Sequence, residues 1–150
     1  MKIEYTKTNF MHLPEKYIGH GTNCVGVMGA GVAKAIRAKY PEVFSQYKTL
    51  CDTNKDDNTR LLGTVQAVES KGKVILNLFT QLGFGHGIQV DYNAVRSCFQ
   101  ILNAKAEEME ITRIGFPKIG AGLGGGDWET IEKNYRRRKY FLSTSRIRIY

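Results

Sequence analysis

The chain is short of the residues that usually announce a staple or a metal. Its three cysteines (Cys24, Cys51, Cys98) are odd in number, widely spaced and without a CxxC pair. Neither a disulfide framework nor a zinc site is indicated, and a reducing compartment is expected. The only histidines, His12, His20 and His86, form no HExxH or other ligand spacing, so no cofactor is expected. No apolar run, Val74–Leu76 and Leu78–Phe79 included, approaches the roughly 20 residues that cross a bilayer, and no signal-peptide pattern follows Met1. The expectation is a cytoplasmic protein, in the host cytoplasm if viral, with no membrane partner. Acidic residues are missing from residues 133–150, which hold seven basic ones. The formal charge of +8 therefore sits almost wholly at the end of the chain, because residues 1–132 carry fifteen basic against fourteen acidic side chains. A nucleic-acid partner is not expected unless that basic tail is functional.

What is present suffices for one core: 150 residues, 42% of them hydrophobic, predict a single domain over residues 1–150. Ile3–Lys7 and Tyr17–Asn23 read as strands. From Gly31 the period changes: Val32, Ala35, Ile36 and Tyr40 fall at helical spacing, and Pro41 breaks or restarts the helix through Val43, Phe44 and Tyr47. Gly63–Glu69 and Lys73–Phe79 predict a hairpin. Asp91 is a candidate N-cap for a helix carrying Ala94, Val95, Cys98, Ile101, Leu102 and Ala106 and ending near Glu110. Arg113–Pro117 is a further strand, followed by a glycine loop and then Asp127 as the cap of a last helix. Helices alternating with strands imply a largely parallel sheet, mixed by the hairpin and covered on both faces, with ligands bound beyond the carboxyl ends of its strands.

Two glycine loops lie at such ends. Gly26–Val–Met–Gly29–Ala–Gly31 precedes a helix whose first N–H groups and partial positive charge suit an anion. It is not a Walker A loop, and Lys34 stands where the dinucleotide fingerprint needs a small residue. The second, Gly120–Ala–Gly122–Leu–Gly124–Gly–Gly126, has five glycines in seven residues, more than a turn before a helix requires. Each alone is explicable as a turn; together they fit a diphosphate between two bulky ends.

Asn23 with Met28–Gly29–Ala30–Gly31–Val32–Ala33, then Leu78–Phe79–Thr80–Gln81, then Phe116–Pro117–Lys118–Ile119–Gly120–Ala121–Gly122–Leu123 resembles a macrodomain, from Met1 to about Lys133. The branch it is similar to contains ADP-ribose 1''-phosphate phosphatases and terminal ADP-ribose protein glycohydrolases. The resemblance implies a three-layer α/β/α fold with a mixed, mostly parallel central sheet, and ADP-ribose or ADP-ribose 1''-phosphate as ligand, with ADP-ribosylated protein a further partner. It places Asn9 and Phe10 at the adenine, where the family usually has an aspartate instead of Asn9. Asn23, Met28, Gly29, Ala30 and Gly31 would face the distal ribose, Thr80 and Gln81 would border the site, and Gly120, Ala121, Gly122, Leu123 and Gly124 would wrap the diphosphate. The glycohydrolases' catalytic aspartate and lysine have no counterpart here: Gly124 stands at the first position and no lysine lies near Thr80–Gln81.

Candidate catalytic residues are His20, Asn23 and Asp127. An imidazole titrating near neutrality can protonate a leaving oxygen or activate water; the alternative for His20 is a strand-end histidine bonded to backbone. Asp127 is a helix N-cap or a carboxylate that polarises water. Cys24 lacks the arginine six residues on that cysteine phosphatases use, since Ala30 stands there, and reads as a small buried thiol. His86 and Phe84 sit in a glycine-rich loop near the cleft, as phosphate and ring contacts or as ordinary loop residues. The enzyme expected is a metal-independent ADP-ribose 1''-phosphate phosphatase; the alternatives are a non-catalytic ADP-ribose reader and a hydrolase removing ADP-ribose from proteins.

Residues 134–150 break the pattern, because Asn134–Lys139 has no helical apolar face. They read as a basic arm for nucleic acid, or as the product of a shifted reading frame. In that shifted frame a helix continuation (Ile-Ile-Glu-Glu-Glu-Asn) and a final strand (Val-Tyr-Val-Tyr) would stand in their place. The nucleotide sequence separates these two explanations.

Overall fold

The computed structural model describes residues 2–5, 9–118, 126–127, 129–131, 133 and 146–149, of which 2–5 and 146–149 are described by backbone alone. Among these residues six strands form one sheet: β1 (Lys2–Tyr5), β2 (Tyr17–Thr22), β3 (Val65–Ser70), β4 (Lys73–Phe79), β5 (Arg113–Phe116) and β6 (Arg146–Ile149). Their spatial order is β1-β6-β5-β2-β4-β3. Every neighbouring pair is parallel except the β3–β4 hairpin, as the sequence pattern predicts. Lys71 and Gly72 both have positive φ (50° and 77°), the conformation a tight hairpin turn needs to match the twist of its strands.

Among the described residues, three whole helices connect the strands: α1 (Gly31–Lys39), α2 (Pro41–Thr53) and α3 (Tyr92–Glu108). Pro41 opens α2, where its missing N–H is no loss. Asp91 caps α3 by accepting the Ala94 N–H at 2.9 Å. The period-2 alternation of β4 sorts the core. Leu76 and Leu78 pack with Val95, Phe99 and Leu102 of α3 and with Ile114 and Phe116 of β5. Ile75 packs with Ile18 of β2, Ile36 of α1 and Val43 of α2, and Phe79 with Tyr47, Cys24 and Met28. Helices α1 and α2 therefore cover one face and α3 the other, the expected three layers. On the α3 face the β2 backbone passes so close to Phe116 that a Cβ on Gly19 would lie 2.2 Å from its ring.

The tail differs from the expectation. Arg146–Ile149 pairs in parallel with β1 on one side and β5 on the other. These residues are an interior strand, which leaves only residues 134–145, outside the described residues, for a basic arm.

Candidate ligand site

Strands β2, β4 and β5 run parallel, so the loops after Thr22, Phe79 and Phe116 open at one edge of the sheet. They enclose a cleft of about 710 Å³, within the size range of small-molecule sites. A second hollow of about 430 Å³ lies at the opposite edge, beside Lys16 and Arg113. The cleft at the carboxyl ends is the better candidate, because parallel strands and the following helix N-terminus direct free N–H groups there.

That N-terminus belongs to α1. Its N-cap, Ala30, has the extended conformation of a capping residue but no side chain to accept a hydrogen bond, so among the described residues the first N–H groups of α1 have no capping side chain. Gly29, Ala30, Gly31, Val32 and Ala33 line the cleft. Two buried polar atoms, His20 Nδ1 on β2 and Thr80 Oγ1 just after β4, also lack a hydrogen-bond partner among the described residues. Both residues line the same cleft. Unpaired buried polar atoms are costly and uncommon, and here they converge beside an uncapped helix end.

Asn23 is held by the protein. Its Oδ1 accepts the Val25 and Val27 N–H groups at 3.1 and 3.3 Å and the Tyr47 hydroxyl at 2.6 Å, and its Nδ2 donates to the Val27 carbonyl at 2.8 Å. Tyr47 also donates to the Asn23 carbonyl at 2.9 Å. The carboxamide shapes the first glycine loop and keeps one amide hydrogen for a ligand.

His20 is 1% exposed, and its Nε2 lies 2.6 Å from Asn77 Oδ1. Burial pushes its pKa down to about 4, against the opposing pull of the Asn77 hydrogen bond. This corrects both readings made from sequence: the imidazole does not titrate near neutrality, and its partner is a side chain rather than backbone. The ring is neutral at pH 7. Burial likewise pushes the Cys24 and Cys98 thiols up to about 12, helped by the neighbouring thiols, so they stay protonated, as expected of buried thiols.

Asp127 is a cap. Its Oδ2 accepts the Thr130 N–H at 3.1 Å and the Thr130 hydroxyl at 2.6 Å, and these bonds hold its carboxyl below the usual range. It is not among the described residues that line the cleft, and the capping alternative is the one its hydrogen bonds match. Three residues assigned to ligand binding also make contacts within the protein. Asn9 caps the short 3-10 helix Phe10–His12 by accepting the Met11 N–H at 2.9 Å. Phe10 packs against the α1–α2 core, and Met28 is buried in the cluster around Tyr47. None of the three lines the cleft. Gly120, Ala121, Gly122, Leu123 and Gly124 lie outside the described residues.

Thr80 and Gln81 do border the cleft. Gln81 bridges to Val90 and closes the base of the 82–89 loop, and the Cys24 N–H donates to the Leu82 carbonyl at 3.0 Å, tying that loop to the first. Phe84 and His86 from this loop line the cleft with Lys118, and Phe84 is 62% exposed. Sequence reasoning missed Asn77 and Tyr47, whose polar atoms hold His20 and Asn23.

An α/β/α sandwich with an anion-ready cleft at its carboxyl edge is the architecture of a nucleotide-type binding domain. The macro domain family model matches residues 20–134, more than three-quarters of the chain; the protein belongs to the macrodomain family. An uncharacterised 17.5 kDa protein of Enterobacteria phage T4 is 34% identical, over 88% of this chain and 86% of its own. An ADP-ribose 1''-phosphate phosphatase of Scheffersomyces stipitis is 28% identical, over 87% of this chain and 91% of its own. A DNA ADP-ribosyl glycohydrolase of Thermus aquaticus is 22% identical over 99% of this chain, which spans only 41% of that enzyme. Among solved structures, Thermosipho africanus DarTG in complex with ADP-ribose superimposes with a TM-score of 0.82 at 17% identity, covering 99% of this chain and 42% of that one.

Proposed function

We propose that the protein binds ADP-ribose and hydrolyses the terminal phosphate of ADP-ribose 1''-phosphate. The observation that carries this reading is the convergence of the uncapped α1 N-terminus with the unpartnered His20 Nδ1 and Thr80 Oγ1 in one cleft. Such a site offers N–H groups to phosphate oxygens and, from a neutral imidazole, an acceptor to water or a hydroxyl. The phosphatases among the relatives support the reaction, since the chain matches them over nearly their whole length.

In the reaction water attacks phosphorus, the P–O bond to the sugar C1'' oxygen breaks, and that oxygen leaves as a hydroxyl while phosphate is released. The helix end and loop amides stabilise charge on the phosphate oxygens, and His20 Nδ1 orients the attacking water. With its low pKa, His20 is an acceptor at neutral pH and not the acid that protonates the leaving oxygen.

The test is phosphate release from ADP-ribose 1''-phosphate, with and without EDTA, for wild type and His20→Ala. Turnover indifferent to EDTA and reduced at least about tenfold by the substitution is expected. Equal rates would remove His20 from the mechanism. Calorimetric binding of ADP-ribose without turnover would instead select a reader of ADP-ribose.

A further inference from the structure

His20 is the first member of a polar row that crosses the sheet on its α1–α2 face. The strand register sets His20 opposite Asn77 and Asn77 opposite Gln66. Asn77 Nδ2 donates to Gln66 Oε1 at 3.1 Å, and Gln66 Nε2 donates to the Gln46 carbonyl of α2 at 3.2 Å. The direction of the row is fixed at its far end, because a backbone carbonyl can only accept. Gln66 must turn its nitrogen to Gln46 and its oxygen to Asn77. Asn77 must then turn its nitrogen to Gln66 and its oxygen to His20, so His20 Nε2 must carry the hydrogen. Its Nδ1 is left as a bare lone pair, buried in a residue that lines the cleft.

We propose that Gln66 and Asn77 are positioning residues that lock His20 in its Nε2–H tautomer, so that Nδ1 accepts a hydrogen bond from an O–H group of the bound complex. That group is the attacking water or a sugar hydroxyl, and not a phosphate oxygen, whose lone pairs a neutral acceptor repels. The inference rests on the phosphatase reading for its catalytic consequence but not for the tautomer. Among the described residues, the other titratable groups lining the cleft are His86 and Lys118. The first turn of α1 presents Val32 and Ala33 there, and strand β4 sets Asn77 against His20; none of these titrates. No described carboxylate lines the cleft to hold the ring protonated.

Ligand-free protein labelled with nitrogen-15 gives the tautomer directly from the two ring-nitrogen shifts, with His20 assigned by loss of its signals in His20→Gln. Wild type is expected as Nε2–H alone. Gln66→Leu removes the anchor, lets Asn77 turn its amide over and admits the Nδ1–H form. Gln66→Glu keeps an acceptor facing Asn77 and retains Nε2–H. Asn77→Leu gives the same mixture as Gln66→Leu, and the half-buried Gln66 pair keeps the test valid if Asn77→Leu does not fold. An Nδ1–H wild type, or a Gln66→Leu spectrum identical to wild type, overturns the proposal.

Kinetics read the second half. Gln66→Leu is expected to lower kcat for ADP-ribose 1''-phosphate severalfold and to leave KM within about twofold, with Gln66→Glu restoring kcat. A wild type that binds ADP-ribose but does not turn over, with the tautomer result intact, defeats the phosphatase reading and leaves the positioning role standing. A changed tautomer with unchanged kcat defeats the catalytic consequence.

Discussion

Asn23 and Tyr47 show how a residue in a ligand site can be committed to the protein first. Tyr47 is fully buried and its hydroxyl serves both oxygens of Asn23. Tyr47→Phe keeps the ring against Phe79 and removes the hydroxyl with its bonds to Asn23 and the Val27 carbonyl. The expected cost is about 1–2 kcal/mol in urea unfolding, together with weaker ADP-ribose binding by calorimetry, because the loop that Asn23 shapes loses an anchor. His20 has its own signature. Its folded pKa of about 4 lies below the ordinary histidine value of 6.5, so between those pH values the unfolded chain binds the extra proton. Stability is then full above pH 6.5 and falls as pH drops toward 4, by on the order of 3 kcal/mol. Unfolding measured from pH 7 to pH 4 should show wild type losing that much more than His20→Gln. None of these pairings was legible in the sequence: 57 residues separate His20 from Asn77 and 24 separate Asn23 from Tyr47, and only the strand register and the return of α2 bring them together.

Among elements, the strand–glycine loop–helix unit of β2 and α1 was the most legible, since the change of period at Gly31 and the proline at position 41 mark both ends of α1. Asn9 and Asp127 are polar residues before helices, and both make the capping bonds common to such residues. Ala30 is the opposite case: a capping position without a capping side chain. An aspartate there would accept the free N–H groups of the first turn and fill the anion site with its own charge. Ala30→Asp is therefore expected to raise the stability of the ligand-free protein by about 1 kcal/mol in thermal unfolding and to abolish ADP-ribose binding in calorimetry. Loss of both stability and binding would mean that the α1 terminus is held by something other than its missing cap.

The whole sheet depends on a strand that the sequence pattern did not support. An interior parallel strand covered on both faces usually reads as a continuous apolar run, whereas β6 reads Arg146–Ile–Arg148–Ile. Yet, among the described residues, β6 is the sole link between β1 and the rest of the sheet. A chain ending before Arg146 loses two ladders and cannot retain β1, so the truncation is expected to lose cooperative urea unfolding and ADP-ribose binding together. A dispensable arm would leave both intact. The alternation also bears on the reading frame, since the shifted frame places Val-Tyr-Val-Tyr where the two arginines fall. If the arginines are misfits in an interior strand, Arg146→Val with Arg148→Val should raise the urea midpoint with an unchanged slope, the mark of greater stability in the same fold. A lower midpoint would mean that the arginines meet partners of their own, and that the chain's last strand evolved in the frame in which it is read.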